Sequence, residues 1–269
     1  MSAPTDAPHA LVTDDDGVIT VTLNRPDKLN AISEAMTAIL WDAVNRFRVD
    51  DSLGVMLIRA VGRYFSAGID LDSRTGRGQD VGVSEAHAGY RYRRRYREHH
   101  RLYDEMEAIE KPIVVAFHAP VLGAGIEMSL SCDFRLAARS ATFRLPEVSM
   151  GTIAGSGGVS RLTRLVGVGW ARWLAMAGRE IDADRALAIG LVQEVWPDDA
   201  FDAEVQRFVG ELVGLPREAV SLSKLVIDAS ATVDATSARH VERIANSRLN
   251  FLSPHYDRFV DRDTGEPEH

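Results

Sequence analysis

The chain has 269 residues, of which 45% are apolar and 26% charged, and its formal net charge is −8. This is the composition of a globular protein, and the length fits one large domain or a domain with an appended subdomain. The negative charge disfavours a general nucleic-acid binder, because such proteins present extended basic surfaces.

The amino-terminal segment and the cysteine content predict a cytoplasmic protein. Cys132 is the single cysteine, which excludes an internal disulfide, and no N-glycosylation sequon occurs. Residues 1–16 lack the basic start and apolar centre of a secretory signal, and we expect them to form a flexible acidic leader. No stretch approaches the roughly 18 consecutive apolar residues of a membrane span, so no membrane association is expected.

Predicted strands and helices alternate along the first two thirds of the chain, and helical patterns dominate afterwards. This order predicts an α/β core at 17–197 and a helical subdomain at 198–269. Ser33 is the expected N-cap of the first helix. The predicted elements are strands at 17–25, 54–62 and 111–120, helices at 33–48, 84–110 and from Gly123, a mobile glycine-rich segment at 73–83, two short strands within 134–147, and helices from Val159 onward.

The helix at 84–110 carries the basic run "RYRRRYREHHR" at 91–101. Its aromatic residues and one histidine fall on a single stripe, with arginines on the other faces. Two readings stay open, namely a solvated basic face over a packed stripe or a patch for the phosphates of a ligand. The stripe consists of Tyr92, Tyr96, His99 and Tyr103.

One carboxylate lies in the middle of the apolar run "LGAGIEMSLSC" at 122–132. Ala124 and Glu127 are three residues apart, so on a helix they share a face. The first N–H groups of a helix have no intrahelical acceptor, and a carbonyl oxygen could accept from Ala124 with Glu127 beside it. Gly123 would allow a ligand to approach the backbone. The alternative is that Glu127 is an ordinary first-turn acid.

The loop "FSAGID" at 65–70 follows a buried strand and has only small residues at Ala67 and Gly68. It can present backbone N–H groups to an anion, or it can be a plain turn. Together with Ala124 it offers donors from two separate loops, which is what an oxyanion hole requires.

A second carboxylate, Glu147, follows Pro146 and precedes a glycine-rich stretch that contains Gly155. Apolar surroundings raise the pKa of a carboxyl group and suit it to proton transfer near neutral pH. The alternative is a glutamate in a surface loop. No G-x-S-x-G motif occurs, so a serine hydrolase is not indicated.

These segments together resemble the enoyl-CoA hydratase/isomerase, or crotonase, superfamily. The resemblance covers about residues 10–230 and implies a spiral of ββα units with a C-terminal helical part. It also implies acyl-CoA thioester substrates and assembly as homotrimers or dimers of trimers. The segments that carry it are "LNRPDKLNAIS", "FSAGIDL", "APVLGAGIEMSLSCDFRLAA", "PEVSMGTIAGSGGVSRLTRLVG" and "AGREIDADRALAIGLVQEV".

The resemblance also implies a role for individual positions. The thioester oxygen would lie between the N–H groups of Ala67 and Ala124, the second of which is commonly glycine in the family. Glu127 and Glu147 match the two glutamates of hydratases, and the tail at 250–269 departs from the usual family ending. The expected substrate-binding residues are Arg25 and Lys28 for the CoA phosphates, Ala67, Gly68, Ile69 and Asp70 for the CoA and thioester path, Gly123 beside Ala124, and Gly155 near the reacting carbons.

Two features favour a hydratase within this superfamily. Simple enoyl isomerases usually need only the counterpart of Glu147, and dienoyl isomerases tend to carry aspartates at the positions of Glu127 and Gly155. We therefore expect reversible addition of water to a trans-2-enoyl-CoA, with no metal or redox cofactor. The alternatives are an enoyl-CoA or dienoyl-CoA double-bond isomerase and, in another class, a non-catalytic acyl-CoA-binding protein.

Overall fold

Two β-sheets form the centre of the protein. The computed structural model describes residues 7–71 and 85–252. The strands are β1 (Ala10–Asp15), β2 (Val18–Leu23), β3 (Val55–Ala60), β4 (Ile113–Phe117), β5 (Val121–Leu122), β6 (Phe134–Ala138), β7 (Thr142–Arg144), β8 (Ile181–Asp182) and β9 (Glu194–Trp196). The larger sheet has the order β1-β2-β3-β4-β6-β9, and the smaller has the order β5-β7-β8.

The central strands of the larger sheet are apolar on both faces. β3 buries five of its six residues and β4 buries all five. They pair in parallel, with Met56 opposite Ile113. Parallel strands of this kind are covered by other elements on both sides, which explains their continuous apolar sequences. Both predicted buried strands are therefore confirmed.

Eight α-helices occur in the described ranges. They are α1 (Glu34–Val49), α2 (Glu85–Ala108), α3 (Ala124–Ser129), α4 (Gly158–Ala171), α5 (Ala183–Ala188), α6 (Phe201–Gly214), α7 (Arg217–Ser230) and α8 (Ala235–Leu252), all within the described ranges. Ser33 is the N-cap of α1, because its Oγ accepts the Met36 N–H at 3.2 Å. The predicted helix and its cap are confirmed.

The chain repeats one unit, in which a strand of the larger sheet is followed by a short extended segment and then a helix. β4 is followed by β5 and α3, and β6 is followed by β7 and α4. Earlier in the chain the short segments are single bridges, Ile32 with Ile69 and Ser66 with Val121. The segments at Ile32 and at 66–69 therefore continue the smaller sheet beyond β5, because Ser66 bridges Val121 of β5 and Ile69 bridges Ile32. The ββα spiral is confirmed, and it brings residues 65–70 against the start of α3.

The helices after β9 differ in how much of their surface is buried against the rest of the protein. α6 packs Phe201, Val205 and Val209 against a second apolar cluster that includes Val55 and Val114. α7 has no fully buried residue, and it contacts α8. The predicted helices after residue 198 are confirmed as helical, whereas the division into core and subdomain stays a prediction, since α6 shares the apolar layer of the sheet.

The expectation of a flexible leader at 1–16 is wrong for residues 10–15. These residues form β1, which pairs antiparallel with β2 along its whole length. Asp16 and Gly17 make the turn with φ values of 45° and 82°, the conformation of a two-residue hairpin. The Asp-Gly pair between two extended runs was the signal, and the acidic composition of the segment obscured it.

The predicted long helix with its basic run and the predicted glycine-rich segment lie partly outside the described residues. The long helix is confirmed as α2, and Tyr103 of the predicted stripe is buried in the core. The side chains of residues 91–96 and the segment 73–83 lie outside the described residues, so the alternatives for the basic run stay open. Within the described ranges, no helix is long and apolar enough to cross a membrane.

Candidate active site

The loop that carries residues 65–70 lies directly against the start of α3. Phe65 N–H donates to Pro120 O at 2.9 Å, and Leu122 N–H donates to Ser66 O at 2.8 Å. A Cβ atom at Gly68 would lie 3.2 Å from Leu122 O and 3.4 Å from Ala124 N. Gly68 also has a φ of +92°, which side-chain-bearing residues rarely adopt. Glycine is therefore needed for the two loops to approach this closely.

The N–H groups of this loop point in different directions, and their partners correct one of the sequence predictions. Ala67 N–H donates to Leu29 O at 2.8 Å, so it is already used inside the protein. Gly68 N–H faces Ser66 Oγ at 3.2 Å. The prediction that Ala67 supplies a donor to the ligand is therefore wrong, because its N–H is paired with the neighbouring loop.

Ile69 is the residue whose N–H faces the other way. In its parallel bridge with Ile32, Ile32 N–H donates to Gly68 O at 2.8 Å and Asp70 N–H donates to Ile32 O at 2.9 Å. In such a bridge the residue between the two bonded residues, here Ile69, points its N–H away from the partner segment that contains Ile32. Among the described residues, no backbone or side-chain acceptor contacts the Ile69 N–H. Ile69 thus replaces Ala67 as the candidate donor of this loop.

Ala124 supplies the second candidate donor, as predicted. It is the first residue of α3, and the N–H groups of Ile126 and Glu127 donate to Gly123 O. No acceptor within the described part of the chain contacts the Ala124 N–H. Backbone donors from Ile69 and Ala124 therefore lie on adjoining loops, an arrangement that suits a carbonyl oxygen on which negative charge develops.

Glu127 is buried on α3, with 5% of its surface exposed. Its Oε2 accepts the Ser156 N–H at 2.5 Å. A Cβ atom at Gly158 would lie 2.7 Å from Glu127 Cγ, so the carboxyl group is held against the loop that precedes α4. Gly155 is the residue before Ser156 in this loop. Glu127 does lie in the first turn of α3, as the alternative had it, but it is buried and bonded to a second segment, which an ordinary first-turn acid need not be.

Glu147 is also buried, with 7% of its surface exposed, and begins a 3-10 turn at Glu147–Met150. A Cβ atom at Gly123 would lie 2.6 Å from Glu147 Oε1. The carboxyl group therefore lies beside the residue that precedes Ala124, and the alternative of a loop glutamate on the surface is wrong. Glu127 lies three residues beyond Ala124 on α3, and Glu147 lies beside Gly123, so both glutamates are near the start of this helix.

Arg25 and Asp70, two of the predicted substrate-binding residues, form an ion pair with each other. Arg25 Nη1 lies 2.5 Å from Asp70 Oδ2 and donates to Ala31 O at 3.2 Å. The pair joins the loop at 25–31 to the loop that carries Ile69. Arg25 thus positions the donor loop, and its expected contact with phosphates stays a prediction. Lys28, at the end of a 3-10 turn, keeps an exposed side chain.

Asn30 is a site residue that the sequence reasoning missed. It is fully buried and has a φ of +52°. Its side chain accepts the Arg25 N–H at 2.7 Å and donates to Val61 O and Tyr64 O at 2.7 and 2.9 Å. Asparagine tolerates this left-handed conformation better than most residues, so its place in the turn after Pro26 was the available signal.

A separate groove of about 660 Å³ lies between α7 and the segment after α3, and neither glutamate lines it. Lys224 Nζ lies 3.0 Å from Asp133 at the groove, and Asp133 also accepts the Ile113 N–H at 2.7 Å. Burial raises the pKa of Asp133, and the Lys224 cation opposes that change. These contacts fasten α7 to the core. No cluster of three or more metal-ligating side chains occurs in the described ranges.

Known proteins resemble this chain in sequence and in fold. Residues 13–250 match the family model described as enoyl-CoA hydratase/isomerase. A crotonyl-CoA hydratase from Syntrophomonas wolfei is 33% identical over 225 residues, covering 82% of this chain and 81% of that protein. A 1,2-epoxyphenylacetyl-CoA isomerase from Escherichia coli is 30% identical over 231 residues, covering 84% of each. The crystal structure of an enoyl-CoA hydratase from Mycobacterium smegmatis superposes with a TM-score of 0.85 at 27% identity, covering 97% of this chain and 99% of the other.

Proposed function

The chain belongs to the enoyl-CoA hydratase/isomerase family, and from this membership and the geometry of its site we propose that it adds water reversibly to a trans-2-enoyl-CoA. The product is a 3-hydroxyacyl-CoA. The observation that carries the proposal is the presence of two buried carboxyl groups near the start of α3, Glu127 on the helix itself and Glu147 beside Gly123, the residue before Ala124. A relative that is a crotonyl-CoA hydratase supports the same reaction.

Each group has one task in the proposed reaction. The thioester oxygen accepts hydrogen bonds from the N–H groups of Ile69 and Ala124, which stabilise the enolate that forms when water attacks. Glu127 holds the water and takes its proton as the hydroxyl bonds to the β-carbon. Glu147 gives a proton to the α-carbon, so the elements of one water are added across the double bond. Proton exchange with solvent then removes the proton from Glu127 and returns one to Glu147, which restores both carboxyl groups. The reaction needs no metal or redox cofactor, and coenzyme A enters as part of the substrate.

Incubation with a trans-2-enoyl-CoA and, separately, with a 3-enoyl-CoA tests this reaction. We expect the first substrate to gain the mass of one water, detected by mass spectrometry. An unchanged mass with a moved double bond would instead identify an isomerase, an alternative motivated by the isomerase relative. No turnover of either substrate would identify a non-catalytic acyl-CoA-binding protein. A series of acyl chain lengths would then define the preferred substrate.

Replacing Gly123 by alanine should disturb Glu147 directly. The new Cβ would lie 2.6 Å from Glu147 Oε1, and the φ of +50° strains any side-chain-bearing residue. We expect the rate of hydration to fall on the order of tenfold or more, because small displacements of a catalytic group are costly. Gly151→Ala is the matched control, since its φ is +72° but nothing lies within 4 Å of the new Cβ. It should lose roughly 1–2 kcal/mol of stability and keep its kcat. Equal kcat values in the two variants would contradict the placement of Glu147.

Lys28 is our proposed contact for the phosphates of coenzyme A. Its exposed position beside the donor loops supports this role. Lys28→Glu should raise KM by up to about tenfold and leave kcat nearly unchanged, the behaviour of a group that binds ground state and transition state equally. Arg25→Glu should instead lower stability by roughly 3 kcal/mol, because it leaves Asp70 beside a like charge. If both variants raised KM without any loss of stability, the different roles of Lys28 and Arg25 would be contradicted.

We also propose that the protein assembles as a homotrimer or a dimer of trimers. Met150 lies in the turn Glu147–Met150, which contacts the segment Arg172–Met176. Met150, Trp173 and Met176 are exposed, as is Ile153, and apolar patches mark interfaces. Light scattering should give three or six times the mass of the chain. Met176→Glu should shift the protein to smaller species, whereas Val49→Glu, at another exposed position on α1, should not. A monomeric wild-type protein would refute the assembly.

A cytoplasmic location stays a prediction.

A further inference from the structure

Arg161 is a buried cation that the proposed reaction does not use. Only 7% of its side chain is exposed. Its Nη2 lies 2.6 Å from Asp104 Oδ1, and its Nε donates to Glu107 Oε2 at 2.8 Å. Asp104 and Glu107 are three residues apart on α2, so they form one face that holds the guanidinium group from one side.

The opposite side of the same guanidinium group contacts the loop before α4, at Ser156 and Gly157. Arg161 Nη1 donates to Ser156 O at 3.4 Å. It also fills the space beside Gly157, because a Cβ atom there would lie 2.0 Å from Nη1. Gly157 has a φ of +80°, so a side chain at this position would be strained as well. The loop is therefore shaped around the arginine.

The peptide groups on either side of Ser156 have different partners. The N–H of Ser156 donates to Glu127 Oε2 at 2.5 Å, and its C=O accepts from Arg161. The surrounding sequence "AGSGG" has high conformational freedom, because glycine restricts the backbone little. An anchor outside the loop is needed to keep the Ser156 N–H aimed at the Glu127 carboxyl group.

We propose that Arg161 is a positioning residue for Glu127. It ties the loop before α4 to α2, and through Ser156 it fixes the direction of the carboxyl group that handles water. This inference rests on the proposed hydration, because it assigns Glu127 to the water and not to the α-proton. It predicts that loss of Arg161 impairs water addition selectively and leaves the chemistry at the α-carbon intact.

The test measures two reactions in the same sample. The first is hydration of a trans-2-enoyl-CoA. The second is exchange of the α-proton of a saturated acyl-CoA in D₂O, in which Glu147 removes the proton and returns a deuteron from solvent. The exchange needs Glu147 and the backbone donors, but no attacking water. The ratio of the two rates does not depend on how much of the sample is folded.

Arg161→Gln should lower this ratio by up to about 100-fold, the cost of misplacing a catalytic group by about 1 Å. Arg161→Lys keeps the charge but cannot contact both carboxylates and Ser156 together, so it should lower the ratio less. The control is Arg164→Gln. Arg164 also contacts Glu107, at 2.7 Å, but 56% of its side chain is exposed and no contact with residues 155–158 occurs in the described structure. Its ratio should stay within about twofold of wild type.

Three results would overturn the inference. An unchanged ratio in both Arg161 variants would exclude a role in placing Glu127. A parallel loss of both reactions in both variants would leave Arg161 a purely structural residue. An equal fall of the ratio in Arg164→Gln would trace the effect to Glu107. Wild-type protein that exchanges the α-proton but adds no water would instead refute the proposed hydration, and that outcome is separate from the first three.

Discussion

Glu127→Gln should lower the rate of water addition by about 10²–10⁴-fold, the usual contribution of a general acid or base. Glutamine keeps the size of the side chain but cannot take a proton from water. The amide can still meet the Ser156 N–H through its oxygen, so the loop before α4 should stay in place. Steady-state rates with a trans-2-enoyl-CoA measure the effect. Glu180→Gln, at an exposed position, is the control and should match wild type.

Glu147→Gln should cause a loss of similar size, because the α-carbon then receives no proton. The double variant should lose less than the product of the two single losses, since groups that act in one step are not additive. Binding of a saturated acyl-CoA should survive in all three variants, because the donors at Ile69 and Ala124 belong to the backbone. A hydration rate of Glu127→Gln within about threefold of wild type would rule out the hydratase mechanism. An isomerase with a single proton shuttle would fail only with Glu147→Gln.

Ala124→Pro should lower kcat/KM by about 10²–10³-fold, because it removes one N–H donor of the oxyanion hole. Proline is tolerated at the first position of a helix, where the N–H has no intrahelical acceptor. Gly123 has a φ of 50° and a ψ of −122°, the mirror image of the extended conformation that residues before proline prefer. The helix should therefore form, and circular dichroism should confirm an unchanged fold.

Glu34→Pro is the matched control for this substitution. Glu34 is the exposed first residue of α1, and Ser33 has the extended conformation, with a φ of −93° and a ψ of 166°. This variant should keep its activity within about twofold. In wild type, the carbonyl stretch of a bound thioester should move to lower frequency than in water, and Ala124→Pro should reduce that shift. Full activity in Ala124→Pro would exclude Ala124 from the oxyanion hole.

Local features of the sequence were enough to predict the central strands and the first helix of the fold. The apolar runs of β3 and β4 mark strands buried on both faces, and Ser33 before an amphipathic segment marks the start of α1. Glu127 and Glu147 were identifiable for the same reason, because a carboxylate within a small, apolar segment is a local anomaly. The hairpin of β1 also had a local signal in Asp16 and Gly17, which the acidic composition outweighed in our interpretation.

The identities of the donors and of the positioning residues were decided by tertiary structure. Ala67 and Ile69 lie in one short loop, and which of their N–H groups faces the site depends on Leu29 and Ile32, more than thirty residues earlier in the chain. Arg25 is paired because folding brings Asp70, which lies on another loop, next to it. An N–H direction and an ion pair are properties of two segments at once, and the pattern within either segment carries no information about its partner. For that reason the sequence alone determined the fold class and the two acids, whereas the pairing of distant loops determined how the site is assembled.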